Sequence, residues 1–269
     1  MDLQLQGKRA LVTGSTAGIG FAAAAGLFRE GASVVVNGRT PARVDEAIKR
    51  IRVMSPSAGA SAGVVSGIAL DLSSAKGAAD LVRQLPEVDI LVDNLGIFEP
   101  KPFEEIPDTD WTRFFETNVM SGVRLTRHYL PAMRRRNWGR VVFVSSESAV
   151  QIPAEMIHYG MTKTAQLAVA RGVAETVAGT AITVNSVLAG PTESEGVATF
   201  VNQLASQRHV DRSQVEAEFF QTGRPSSLLR RFAKVEEVAN MIIYVCSPLA
   251  SATNGAALRA DGGVVRSIF

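Results

Sequence analysis

One turn constrains this chain more than any other feature. Ala10-Leu11-Val12 is a short apolar run that stops at Thr13-Gly14-Ser15-Thr16-Ala17-Gly18-Ile19-Gly20. Phe21 to Arg29 then reads as an alanine-rich helix closed by Gly31. Glycines spaced G-x-x-x-G-x-G between a strand and a helix let the backbone turn sharply. They also let it approach a pyrophosphate, which the free N–H groups and positive dipole end of the helix would hold. Glycines also make tight packed turns, so the strand before and the helix after are what make this a nucleotide-binding signal. Gly14, Ser15, Thr16, Gly18, Ile19 and Gly20 are the candidate cradle.

The rest of the chain keeps the same rhythm. Ser33-Val34-Val35-Val36 reads as a second strand, and Pro41 to Val53 as a helix with proline near its first turn. Ala62 to Leu70 is a third strand candidate, followed by Ile90-Leu91-Val92, Val141 to Val144, Ala181 to Val184 and Ala256 to Arg259. These runs are apolar on both faces, the mark of a parallel sheet covered on each side by helices. Right-handed strand–helix alternation then predicts an α/β fold, a single doubly wound parallel sheet of Rossmann type. The 269 residues suit one such domain, spanning 1–269, and are short for two. Ser55 to Gly63 is a small-residue loop and not a boundary. Residues 192–232 interrupt the alternation with two apolar pieces, Val197/Phe200/Val201/Leu204 and Val215 to Phe220. Following a strand's C-terminal end, they read as a helical lid over a substrate site.

Composition removes several classes. A lone cysteine, Cys246, excludes an intramolecular disulfide, and with three histidines no metal site is expected. No apolar run approaches the ~18 residues of a membrane span, and Met1-Asp2-Leu3-Gln4 lacks a signal-peptide start, so a cytoplasmic protein without membrane contact is expected. A net charge of +2 is a weak field. Arg134-Arg135-Arg136 sits at a helix end, where basic residues suit the dipole, so no nucleic-acid partner is expected.

Three further places carry chemistry. After the second strand, Val36-Asn37-Gly38-Arg39-Thr40 lacks the acidic residue that binds the NAD ribose. Arg39 instead offers a planar fork for a 2′-phosphate, the alternative being a solvated loop arginine, so NADP(H) is favoured over NAD(H). Asp71 ends the third strand, either to accept from an adenine amino group or to cap the helix near Ser74. Tyr159 and Lys163 stand four apart on one helix face. A cation about 4 Å from a phenol contributes on the order of 4 kcal/mol at an effective dielectric near 20, about 3 pKa units before desolvation. Lys163 is therefore expected to bring Tyr159 into proton-exchange range. Ser146, thirteen residues before Tyr159, ends the fifth strand, as a hydroxyl for a substrate oxygen or a helix cap. Asn118, within a helix-like stretch from Trp111 to Leu130, either binds a proton-carrying water or is a mid-helix polar residue.

This ordered set resembles the short-chain dehydrogenase/reductase family from about Leu5 to about Val265. The turn matches fully, Ser146, Tyr159 and Lys163 match in type and spacing, and Asn118, Val184-Asn185-Ser186 and Asp261-Gly262-Gly263 match the rest. The resemblance implies hydride transfer between NAD(P) and a small-molecule carbonyl or secondary alcohol, with Ser146, Tyr159, Lys163 and Asn118 catalytic. It implies cofactor contacts at Asn94, Gly96, Gly190 and Thr192 besides Tyr159, Lys163 and the cradle. It also implies a homo-tetramer or homo-dimer built on the helices around Trp111–Met133 and Met161–Val177. The nearest members are 3-oxoacyl-thioester reductases and sugar or polyol dehydrogenases. This chain departs from the pattern at Asp93-Asn94-Leu95-Gly96, where the family has Asn-Asn-Ala-Gly. It departs again at Ala189-Gly190-Pro191, with the family threonine falling at Ser194, and in its longer lid. Glu147, Gln151, Ile152 and Met156, with Phe98 and Phe200, are the candidate pocket residues. His158 is expected to face another element. A non-catalytic dinucleotide sensor is the main alternative. An epimerase or dehydratase would need an extended substrate domain for which the chain is too short.

Overall fold

The computed structural model describes residues 2–57, 59–61 and 63–268; Phe200 is described only by its place in a helix. In chain order the elements are β1 (Arg9–Val12), α1 (Gly18–Arg29), β2 (Ser33–Gly38), α2 (Pro41–Arg52), β3 (Val65–Ala69), α3 (Ala75–Gln84), β4 (Ile90–Asp93), α4 (Asp108–Phe115) and α5 (Ser121–Arg136). They continue with β5 (Gly139–Ser146), α6 (Ile157–Thr176), β6 (Ile182–Ala189), α7 (Glu195–Arg208), α8 (Arg212–Glu218), α9 (Val235–Cys246) and β7 (Ala257–Ala260). The strands form one sheet in the order β3-β2-β1-β4-β5-β6-β7, every pair parallel. This is the doubly wound Rossmann-type architecture expected of the alternation.

Successive strand residues point to opposite faces, and both faces are buried. Val12, Val34, Val36, Val92, Val142 and Val187 pack with the alanines of α1 and with Val238 and Ile242 of α9. Leu11, Val35, Leu91, Val141, Phe143 and Val184 meet Leu81 of α3, Leu125 and Tyr129 of α5, and Ala170 of α6. Each large side chain so buried contributes roughly 1.5–3 kcal/mol. A Cβ at Gly26 would overlap Ile243, so glycine is what lets α1 lie against α9.

Three expected boundaries shift. α1 begins at Gly18, not Phe21, because the glycine turn is itself its first turn. β3 begins at Val65, since the backbone at Gly63 runs against the Ala32 carbonyl; Ala62 lies outside the described residues. Asn118 does not sit in a regular helix but in a π turn, Glu116–Met120, between α4 and α5. Between β6 and α9, helices α7 and α8 and a π turn, Phe219–Gly223, gather a small separate apolar cluster of Val201, Ala205, Val215, Phe220 and Phe232. No helix among the described residues is long and apolar enough to cross a membrane.

Candidate active site

The C-terminal ends of β1, β4, β5 and β6 meet at one edge of the sheet, where parallel strands leave a crevice. Gly14 and Gly18 have φ of +59° and +58°, the left-handed region that glycine enters without a Cβ clash. A Cβ at Gly20 would overlap the Asn94 side-chain amide. That amide donates to the carbonyls of Thr13 and Gly14, both at 3.0 Å, and pins the turn to the end of β4. Thr13 Oγ1 accepts from the N–H groups of Asn94 and Leu95 at 2.9 Å. Ser15 is buried: its hydroxyl donates to Val12 O at 2.6 Å and accepts from Asn37 N at 3.0 Å, while its own N–H donates to Asn37 O. As a cradle residue Ser15 is therefore corrected in its role: it braces the turn from inside, with its hydroxyl and its N–H both engaged. The first N–H groups of α1 remain without intrahelical partners and face outward.

Arg39 is exposed just beyond β2 and has no partner among the described residues; the Thr16 side chain lies against Gly38 beside it. Asp71 is exposed, and its Oδ1 accepts from Ser73 N at 3.0 Å. The cap of α3 is Ser74, which accepts from Gly77 N, so the capping alternative for Asp71 falls.

A cavity of about 550 Å³ opens on the same edge. Ser146, Tyr159 and Lys163 all line it, as do Asn94, Gly96, Gly190 and Thr192. Lys163 Nζ donates to Val144 O at 3.0 Å, and Ser145 Oγ donates to Lys163 O at 2.9 Å, so β5 fixes the rotation of α6. Asn118 lies one layer behind, off the cavity wall. Its Nδ2 donates to Ile97 O at 3.0 Å and to Thr162 Oγ1 at 2.9 Å, and its Oδ1 accepts from Ile97 N at 2.8 Å. Its backbone carbonyl accepts from Gln166 Nε2 at 2.7 Å. A Cβ at Gly96 would stand 3.3 Å from Lys163 Nζ and 3.5 Å from Asn118 Oδ1, so glycine leaves room at Lys163 Nζ on the cavity side.

The pKa expectation for Tyr159 is corrected. Burial pushes its phenol above the ordinary value, and the Glu147 charge adds to this, while Ser146 and Arg224 oppose it. Lys163 Nζ is 5.6 Å from the Tyr159 ring centroid, and burial lowers the Lys163 ammonium itself to about 8. Desolvation is the largest influence on both groups in the protein alone.

Of the candidate pocket residues, Glu147, Met156 and Phe98 line the cavity, and the Phe98 ring meets Tyr159 edge-on at 6.3 Å. Gln151 and Ile152 do not: the chain makes two tight turns after β5 and leaves both exposed. The Phe200 side chain lies outside the described residues. His158 is buried against Trp111 and Phe114, facing another element as expected. Arg224 went unmarked in the sequence. It is buried on the cavity wall, donates to Glu147 Oε1 at 2.9 Å and Glu155 Oε1 at 3.1 Å, and so ties the segment after β6 to the end of β5. Its one signal was an arginine between glycine and proline, close behind the apolar pair Phe219-Phe220.

A doubly wound sheet with a glycine turn at its crevice defines a dinucleotide-binding class of protein. Residues 8–205 match the family described as short chain dehydrogenase, and the chain belongs to that family of oxidoreductases. It is 49% identical over 269 residues to the uncharacterized oxidoreductase YvaG of Bacillus subtilis, covering all of both chains. It is 29% identical over 268 residues to the 3-oxoacyl-[acyl-carrier-protein] reductase FabG of Aquifex aeolicus, covering 98% of this chain and 100% of that one. Among solved structures it resembles L-sorbose reductase from Gluconobacter frateurii, complexed with NADPH and L-sorbose, with a TM-score of 0.92, 29% identity and full coverage of both chains.

Proposed function

We propose that the protein transfers a hydride between NADP(H) and a carbonyl or secondary-alcohol carbon of a small molecule, through Ser146, Tyr159, Lys163 and Asn118. The observation that carries this reading is the cavity itself: Ser146, Tyr159 and Lys163 share its wall, and it reaches Ile19 of the glycine turn. The residues fit the cofactor. The turn puts no side chain in front of the α1 N-terminus, which suits a pyrophosphate, and Gly96 leaves Lys163 Nζ open to a ribose. Gly14, Thr16, Gly18, Ile19 and Gly20 form the cradle, with Asp71 at the adenine and Asn94, Gly190 and Thr192 along the groove. An unpartnered Arg39, and NADPH in the L-sorbose reductase crystals, favour the phosphorylated cofactor.

The nicotinamide supplies or takes the hydride. Tyr159 holds the substrate oxygen, and Ser146, whose hydroxyl donates to Glu147 Oε2 in the structure, turns it to that same oxygen when substrate arrives. In reduction the Tyr159 hydroxyl gives that oxygen its proton; burial keeps the phenol protonated in the protein alone, and the charge of Lys163 is what would favour its release. In oxidation Tyr159 takes the proton back, with the Lys163 charge favouring the phenolate. Asn118 holds the Ile97 backbone and Thr162, and so keeps Lys163 at its station. The whole chain 1–269 works as one domain, with residues 192–232 as a lid. Ser194 at the start of α7 lies against Gly18, and Arg43 of α2 pairs with Glu195 at 3.1 Å, so this segment covers the cofactor groove as well as the cavity.

Tyr159→Phe tests the reading. Turnover should fall about a thousandfold, the scale of acid–base catalysis. NADPH affinity, read from nicotinamide fluorescence, should change by no more than a few-fold. Retained turnover overturns the assignment. Arg39→Ala should weaken NADPH and leave NADH alone.

A further inference from the structure

Glu147 and Arg224 are only 5% and 7% exposed, yet both line the cavity beside Ser146. Burying charges there is costly unless they are paired and employed. Their hydrogen bonding is incomplete in a particular way. Glu147 Oε2 accepts from Ser146 Oγ, from Ser148 N at 2.9 Å and from Ser148 Oγ at 3.1 Å. Among the described residues Glu147 Oε1 accepts only from Arg224 Nε. Arg224 Nη1 donates to Glu155 and to Gly223 O, while Nη2 has no acceptor among the described residues and is not among the polar atoms sealed from solvent. An unfilled carboxylate lone pair thus stands next to unfilled guanidinium donors. A hydroxyl is the group that donates and accepts at once.

We propose that Glu147 and Arg224 form a hydroxyl-reading subsite beside Ser146. The substrate is accordingly a neutral compound with a hydroxyl on the carbon next to the reacting one, an α-hydroxy ketone or vicinal diol. This rests on the function proposed above and narrows it. Ser146 and Glu147 are hydrogen-bonded to each other, so the oxygens they take sit on neighbouring carbons. Two carboxylates face one guanidinium here, while elsewhere on the same cavity Arg208 pairs with Glu218 and Lys163 adds a positive charge. The Arg224 charge is thus already spent on Glu147 and Glu155, so this position does not favour a carboxylate or phosphate.

The test compares matched alcohols with the intact protein and NADP⁺: 2,3-butanediol against 2-butanol, and 3,4-hexanediol against 3-hexanol. The diols should be preferred in kcat/KM by on the order of 100-fold, the scale of a hydrogen bond gained to a charged group. Glu147→Gln and Arg224→Leu should each cut that preference at least tenfold, chiefly through KM for the diol. Arg224→Lys, which keeps the charge but loses the fork, should fall between. Calorimetric binding of diol and mono-alcohol to the NADP⁺ complex of Tyr159→Phe reads the same preference without turnover. Equal treatment of the two alcohols, or an undiminished preference in folded variants, overturns the subsite. So does a preference for 2,3-dihydroxybutanoate over 2,3-butanediol that is lost in Arg224→Leu, since Arg224 would then be reading an anion. Turnover retained by Tyr159→Phe would instead defeat the underlying reaction, which keeps the two failures apart.

Discussion

The glycine turn and the segment between β6 and α9 each shape one wall of the same crevice, by opposite means. At Thr13–Gly20 the backbone does the shaping. Ser15, Asn37, Thr13 and Asn94 are spent on main-chain groups within and around the turn, so what faces outward is peptide N–H. Between β6 and α9 side chains do it. Val197, Leu204 and Phe219 line the cavity, a five-residue apolar cluster holds the segment together, and Arg224 fastens it to Glu147. A wall made of backbone accepts one shape of ligand, whereas a wall made of side chains can be refitted by substitution. On the function proposed above, this difference would give cofactor recognition to the first region and substrate choice to the second.

The strongest way to break that division is Gly20→Ala. The new Cβ must displace the Asn94 amide or the Gly14 carbonyl, and overpacking of this kind costs about 1–3 kcal/mol. NADPH affinity should fall on the order of 100-fold, since each 1.4 kcal/mol is tenfold and the turn itself is deformed. Fluorescence titration and urea denaturation check both numbers. Unchanged affinity with normal stability would mean that the backbone shape is not what reads the cofactor.

Lys163→Met comes next and separates function from stability inside the site. Burial lowers the folded-state pKa of Lys163 from 10.5 to about 8. The folded protein thus binds fewer protons than the unfolded chain between those values, and stability rises with pH across that window. Below about pH 8 the cost of the buried ammonium is present in full, on the order of 3 kcal/mol. Without cofactor, Lys163→Met should be more stable than the parent at pH 7 by up to that amount, with the gain fading toward pH 10, while turnover is lost. No gain at pH 7 would show that the bond to Val144 O already offsets the burial.

The two regions also differ in how far the sequence reveals them. The glycine turn, Ser146, and the Tyr159–Lys163 pair are local patterns: a strand end, a turn, and one helix face. Local patterns survive in a sequence because neighbouring residues make them. Arg224 meets Glu147 across 77 positions, and nothing near either residue announces the other. Gln151 and Ile152 differ from expectation for another reason: the tight turns after β5 decide which side chains face the cavity, and the composition of that segment does not show their course. Ser15 had the right place and the wrong orientation, because its partner Asn37 lies on the neighbouring strand. The doubly wound parallel sheet was legible because strands apolar on both faces, alternating with helices, admit few alternatives.

Asp93→Asn is a smaller probe, on the cofactor side behind the turn. Asp93 is buried, its Oδ2 accepts from Thr126 Oγ1 at 3.2 Å, and its Oδ1 has no partner among the described residues. Burial raises its pKa well above 3.8, so the folded state holds this proton more tightly than the unfolded chain. Stability therefore falls as pH rises above the unfolded value, toward the raised folded one. Asparagine removes the titration, and at pH 8 it should add about 1 kcal/mol, on the scale of one buried unsatisfied group. The advantage should vanish near pH 4. Parallel stability curves for the two proteins from pH 4 to 8 would show that the carboxyl finds a partner that neutralises this cost.

Arg208→Ala should have the smallest effect and sharpens the comparison from the lid side. Arg208 pairs with Glu218 at 2.8 Å, joining α7 to α8, but the two side chains are 48% and 55% exposed. Solvent-exposed pairs of this kind contribute about 0.2–1 kcal/mol, and salt screens them further. The apolar cluster of Val201, Val215, Phe220 and Phe232 holds the two helices together without the pair. Global stability should drop by less than about 0.5 kcal/mol, less still at 0.5 M salt. NADPH affinity should not move, and KM for the alcohol should shift at most a few-fold, because Arg208 lines the cavity. If the variant instead weakens NADPH as strongly as Gly20→Ala does, the lid helps to read the cofactor. The division of labour between a backbone wall and a side-chain wall then fails at its weakest joint, where Ser194 meets Gly18.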